Sequence, residues 1–200
     1  MKIDVRKQLR PLYDAPREPA LVEVPPMNFL MIDGTGDPNG SEDYRQALEA
    51  LFGLSYTLKF MIKKTEGTDY GVMPLEGLWW VDDISLLDME RRDNWRWTSM
   101  IMQPDIVTDD RVRVATEELR RKKDPAALPK VRFERLEEGL VAQIMHKGPF
   151  ADERPTVDRL HTFVHECGRE LRGKHHEIYL SDFNRTAPEN LRTIIRHPVV

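Results

Sequence analysis

The chain has 200 residues, with 30 Lys and Arg against 34 Asp and Glu, a formal net charge of -4. That balance argues against nucleic-acid binding through bulk electrostatics. No apolar run approaches the roughly 18 to 20 residues that span a bilayer, and the opening "MKIDVRKQLRPLYDAP" has no apolar signal core. One cysteine, Cys167, excludes an internal disulfide and suits a reducing compartment. A cytoplasmic protein with no nucleic-acid or membrane partner is expected.

Residues 1–26, rich in Pro and charge, read as an N-terminal extension. "MNFLMIDGTG" reads as a strand closed by the turn signal "GDPNG". Ser41 is a good N-cap, with Glu42 and Asp43 favourable in the first turn. Tyr44, Leu48, Leu51, Ser55, Leu58 and Ile62 then recur at three- and four-residue spacing, predicting a helix to about Lys64 that Gly67 stops. Two strands follow, "GVMPLEGLWWV" and "NWRWTSMIMQP", joined by the acidic loop "DDISLLDMERRD". A linker helix is expected over 108–123, capped near Thr108 and ended by "KKDPAALP".

The second half repeats this order. "GLVAQIMHKGPF" reads as strand and turn. Val157, Leu160, Val164, Cys167 and Leu171 mark a helix that Gly173 should stop, with Cys167 a buried thiol on its apolar stripe. "HHEIYLSDF" and "NLRTIIRHPV" read as strands. The pattern predicts an α+β fold of two βαββ units with pseudo-two-fold symmetry, repeat one over 27–105 and repeat two over 131–200. Together, residues 27–200 form one domain, and its antiparallel sheets frame a central ligand cleft.

Laying "EGLWW" over "EIYLS" puts Glu76 on Glu177. If Ile178 and Leu180 meet the helix, strand alternation turns Glu177 and Tyr179 toward the cleft. The same parity turns Glu76, Leu78 and Trp80 there and packs Trp79 under its helix. Two carboxylates facing each other beside aromatic rings would have their pKa values pushed apart, giving one acid and one base. The alternative is a pair of solvated glutamates on a wet sheet face. "GTG" lacks the third glycine and the βαβ context of a dinucleotide fingerprint. His161 and His165 lack the flanking Glu and third ligand of a zinc site. No cofactor or metal is expected. "RRKKD" reads as a solvated helix end.

Three stretches, "FLMIDGTGDP", "PLEGLWW" and "HHEIYLSDFNRTAPENLRTIIRHPV", resemble the GyrI-like small-molecule-binding family over nearly the whole chain. "KQLRPLYDA" resembles its stand-alone members, among them cyclopropanoid cyclopropyl hydrolases. The resemblance implies a cleft for flat aromatic or cationic ligands, with Glu177 as the ligand-contacting acid. It further implies water addition to the strained ring of genotoxic compounds, with Glu177 and Glu76 as acid and base, Tyr179 as a hydroxyl donor, and Trp80, Trp97, Tyr44 and Leu78 lining the ligand. A non-catalytic drug-binding or sensing module, or a protein that binds DNA gyrase as the family's namesake does, are the alternatives.

Overall fold

Ser41 and Gly67 frame the longest helix, and both do so through the backbone groups that helix ends leave unpaired. The Ser41 hydroxyl accepts from the Tyr44 N–H, and Gly67 takes the left-handed conformation, its N–H bonding the Lys63 carbonyl. In the computed structural model, which describes residues 1–81 and 94–200, the elements run in chain order as follows. They are β1 (Lys2–Ile3), α1 (Val5–Gln8), α2 (Arg10–Tyr13), β2 (Ala20–Val24), β3 (Met27–Thr35), α3 (Glu42–Glu66), β4 (Asp69–Tyr70) and β5 (Leu75–Trp80). They continue with β6 (Arg96–Gln103), α4 (Asp109–Lys122), β7 (Arg132–Leu136), β8 (Gly139–Lys147), α5 (Arg154–Glu166), β9 (His175–Tyr179) and β10 (Arg192–Pro198). The expected loop "DDISLLDMERRD" lies outside the described residues. Among the described residues no helix is long and apolar enough to cross a membrane.

The fold is α+β and its sheet pairing is antiparallel in both halves, apart from the parallel two-residue pair β1–β4. Two compact units divide the chain: Met1–Gln8, Met27–Met73 and Trp79–Leu136 form the first, and Leu9–Pro26, Pro74–Leu78 and Glu137–Val200 the second. The βαββ order expected twice appears twice, as β3-α3-β5-β6, with the two-residue β4 inserted after α3, and as β8-α5-β9-β10.

In the first unit β3 pairs with β6 on one side and β7 on the other. Directly paired residues share a sheet face, so Leu30, Ile32 and Gly34 lie on one face with Ile101, Ser99 and Trp97. That face meets α3, whose Leu51, Leu54, Leu58 and Ile62 are fully buried. Gln103 donates from Nε2 to the Ser55 hydroxyl at 3.1 Å, so a polar pair inside this packing is satisfied. Helix α4 packs on α3, and Gly53 lets Leu119 approach closely. Thr108 occupies the expected N-cap of α4, but its hydroxyl makes no cap bond.

In the second unit β8 and β10 form the centre, with β2 outside β8 and β9 outside β10. Ala142, Ile144, Leu160, Val164, Ile195 and Val199 form the core between α5 and the sheet. The N-terminal residues are folded in: β2 extends the sheet, and Tyr13 is 1% exposed. The helix α5 stops earlier than expected. Gly168 adopts φ 67 and Arg169 N bonds the Val164 carbonyl, which closes the last turn. Cys167 is therefore the C-cap and is exposed, not a core thiol, and Leu171 lies beyond the helix, half-covered in an isolated bridge to Val199. Strands β2 and β7 escaped the sequence reading, since both are short and carry charges on a partly exposed face.

Gly34 lies beneath the Trp97 ring, and a Cβ there would come within 2.1 Å of it. Gly34→Ala should destabilise the protein by about 1–3 kcal/mol through overpacking. Urea unfolding with an unchanged midpoint would contradict this contact.

Candidate functional site

The second unit carries its chemistry on both faces of β9, because successive strand residues point to opposite sides. Ile195, which belongs to the core under α5, pairs directly with Glu177, and Ile194 pairs with Ile178. Glu177 and Tyr179 therefore stand on the α5 face, and Ile178 and His176 stand on the other. This reverses the sequence expectation, which put Ile178 toward the helix. The opposite face is also buried, so an apolar residue there carries no information about which side the helix covers.

On that opposite face lies a closed set of charges. Glu76 is 0% exposed. Its Oε1 accepts from the Tyr13 hydroxyl at 2.7 Å, and its Oε2 accepts from His176 Nε2 at 2.9 Å. The other His176 nitrogen, Nδ1, donates to Glu138 Oε1 at 2.9 Å. Both partners are carboxylates, which only accept when ionised, so both ring nitrogens carry protons and His176 is an imidazolium. Arg196, 0% exposed, adds a longer contact to Glu138 Oε2 at 3.4 Å. It also donates to the Leu12 carbonyl at 2.7 Å and to Gln143 Oε1 at 3.1 Å. Gln143 in turn donates to the Pro11 carbonyl. Two buried anions and two buried cations thus cancel.

The proton affinities follow from this neutrality. Burial disfavours the charged His176, but Glu138 first and Glu76 next outweigh it and raise the imidazole pKa to about 9. Burial would raise the Glu138 carboxyl, yet His176 and then Arg196 hold it down at about 2. Burial and the neighbouring Glu76 push the Tyr13 phenol well above its usual value, so it stays a donor.

Glu76 and Glu177 consequently do not face each other. Glu76 meets His176, and Glu177 is on the reverse side of that strand. The two halves, when laid glutamate on glutamate, are out of phase by one residue. Glu76 is a member of a saturated polar core, and the acid–base pair expected across a cleft is not formed by these two carboxylates.

The α5 face holds a half-buried triad in line along β9. Glu177 Oε2 accepts from the Tyr179 hydroxyl at 2.7 Å, and Oε1 is 3.0 Å from His175 Nε2. Phe150 meets Tyr179 edge-on at 5.7 Å, and Phe183 lies 6.4 Å from Phe150. A carboxylate, a phenol and an aromatic rim are thereby gathered on one partly exposed surface. His175 is not among the site residues expected from the sequence, where alternation allows at most one of His175 and His176 to share a face with Glu177. Its i, i+2 spacing from Glu177 on a strand was the available signal.

In the first unit Trp79 packs against α3 as expected, its ring 6.3 Å from Tyr44 and 6.0 Å from Trp95. Trp97 stands edge-on to Tyr44 at 5.0 Å and is 1% exposed, so it supports Tyr44 from within the core. Tyr44 and Trp80 are half-buried. Leu78, in the second unit, is buried. Among the described residues no group of His, Cys, Asp and Glu is arranged to hold a metal ion. His161 packs against His197 at 5.5 Å and does not pair with His165.

The buried network sets a pH window. His176 has its pKa raised from 6.5 to about 9, so its contribution is full below about pH 6.5 and is lost as pH rises through 9. Glu138 has its pKa lowered from 4.5 to about 2, so its contribution is full above about pH 4.5 and is lost as pH falls through 2. Urea midpoints should plateau between these limits and fall on both sides. His176→Leu should cost about 3–5 kcal/mol, because it strands two carboxylates, and should erase the alkaline decline. A wild-type midpoint that stays flat from pH 6.5 to 9 would contradict the imidazolium assignment.

Comparison with known proteins places this geometry. The GyrI-like small molecule binding domain matches residues 17–200. Three solved structures from Listeria innocua share its shape along its full length. A conserved protein is 42% identical with TM-score 0.92, over 99% of this chain and 100% of that one. A hydrolase is 41% identical with TM-score 0.90, over 100% of each chain. Another hydrolase is 39% identical with TM-score 0.87, over 99% of this chain and 100% of that one. A search of the curated proteins found no match. The match over 17–200 and the full-length likeness to the Listeria proteins agree with the fold built above, and the chain belongs to the GyrI-like family of small-molecule-binding domains.

Proposed function

We propose that this protein is a hydrolase that binds flat aromatic or cationic small molecules and opens cyclopropane-bearing genotoxic compounds by adding water. The observation that carries the reading is the Glu177 carboxylate, half-buried on β9 with the Tyr179 hydroxyl on one oxygen and an aromatic rim beside it. Membership of a small-molecule-binding family and two relatives near 40% identity described as hydrolases support it.

In this reaction Glu177 removes a proton from water as the water oxygen bonds to a ring carbon of the cyclopropane. The breaking carbon–carbon bond sends its electron pair into the conjugated carbonyl, whose oxygen gains negative charge. Tyr179 donates its proton to that oxygen and recovers one from Glu177, to which it is already bonded. Water is consumed as one hydroxyl and one hydrogen, and both side chains return to their starting states. Partial burial strengthens each of these electrostatic interactions. We assign the general-base role to Glu177 alone, since Glu76 is 0% exposed and enclosed in the core. In the first unit Tyr44 and Trp80 are the proposed aromatic ligand contacts, with Trp97 as the support beneath Tyr44. Leu78 is buried and shares the Glu76 face of β5, so it is not kept as a ligand contact.

Incubation with a cyclopropane-bearing alkylator should yield, by mass spectrometry, a product heavier than the substrate by one water. Glu177→Gln should lower turnover by about 10²-fold or more, the usual contribution of a general base. Quenching of tryptophan fluorescence by an uncharged aromatic ligand should survive that change. Wild-type turnover in Glu177→Gln would refute the mechanism. Tight binding with substrate recovered intact would instead mark a sequestering or sensing module.

A further inference from the structure

We infer that His175 is the positioning residue for Glu177, clamping its carboxylate from the side opposite Tyr179. The inference rests on the reading of Glu177 as the working carboxylate. His175, Glu177 and Tyr179 occupy alternate positions of β9 and so share one face. His175 Nε2 is 3.0 Å from Oε1, and the Tyr179 hydroxyl is 2.7 Å from Oε2. An ionised carboxylate only accepts, so Nε2 carries the hydrogen of this bond. These two contacts, one to each oxygen, fix the carboxylate plane along the strand. A side chain with three rotatable bonds is thereby held in one orientation before substrate arrives.

The ring of His175 is itself held. His197 of β10 meets it at 6.1 Å with the planes at 70°. His161 of α5 packs on His197 at 5.5 Å and 76°. Burial first, then repulsion from His175 and His161, lowers the His197 pKa to about 3. Burial and then His175 also lower that of His161. These two rings are therefore neutral packing surfaces. They stack behind the imidazole that touches the carboxylate, and they bring no second positive charge to Glu177.

The test compares His175→Phe, which keeps a ring and removes the donor, with His175→Gln, which can return an N–H to Oε1. With the cyclopropane substrate, His175→Phe should lower kcat by about 10²-fold, the effect of losing a placed reacting group, and leave KM within about threefold. His175→Gln should recover most of the loss. Both variants should unfold at the wild-type urea midpoint. Independently of turnover, the side-chain carboxyl carbon signal of Glu177 should be a single sharp line in the wild type and His175→Gln, and exchange-broadened in His175→Phe. Equal turnover in wild type and His175→Phe, or an unchanged Glu177 signal, would overturn the clamp. Absence of turnover in the wild type would sink the hydrolase reading, and the carboxyl signal would still decide the clamp.

Discussion

Between two buried carboxylates, the imidazolium of His176 is the interaction on which the second unit depends. An isolated buried charge of either sign would be expelled from the fold or neutralised. Here Glu76 and Glu138 lie 2.9 Å from the two ring nitrogens, and Arg196 completes the balance. The set also engages the N-terminal segment, through the Tyr13 hydroxyl and the carbonyls of Leu12 and Pro11. Residues that look like a loose leader are in this way fastened to the face of the sheet that α5 leaves uncovered. Networks of this kind are strong only when every member is satisfied, and in this one each named group has a partner.

Strand alternation then separates stability from chemistry within β9. His176 and Ile178 point into the neutralised core. His175, Glu177 and Tyr179 point to the half-exposed α5 face. The buried network stands immediately behind the strand, on the face opposite His175, Glu177 and Tyr179. The division also explains how one protein carries two glutamates of opposite character. Glu76 is fully buried with both oxygens engaged inside the fold, and Glu177, half-buried on the other face, is the proposed ligand contact.

The caps of α3, the two βαββ halves and their strands were legible in the sequence because they rest on local rules: Ser41 and Gly67 for ends, three- and four-residue spacing for α3, alternation for β9. The face assignment of β9 was not. Alternation tells which residues share a side, but only an exposed second face tells which side is which. In β9 the reverse face is buried as deeply as the face under α5, so Ile178 gave the wrong sign. Glu76 reads as a cleft carboxylate, and Glu138 and Arg196 carry no sequence signal, because the compensation that buries them joins residues as far apart as Tyr13 and Arg196. Gly168 was passed over as the stop of α5 because the apolar spacing continues by coincidence through Leu171. The family resemblance pointed to Glu177, and it could not say what stands beside it.

The central claim is that the two faces of β9 divide the work, with Glu76 serving the fold and Glu177 the ligand. It is tested most directly by measuring unfolding free energy and turnover per folded molecule side by side in Glu76→Gln and Glu177→Gln. The account predicts that Glu76→Gln loses stability and keeps turnover, and that Glu177→Gln keeps stability and loses turnover. The opposite pattern, or equal losses of turnover in both, would contradict it.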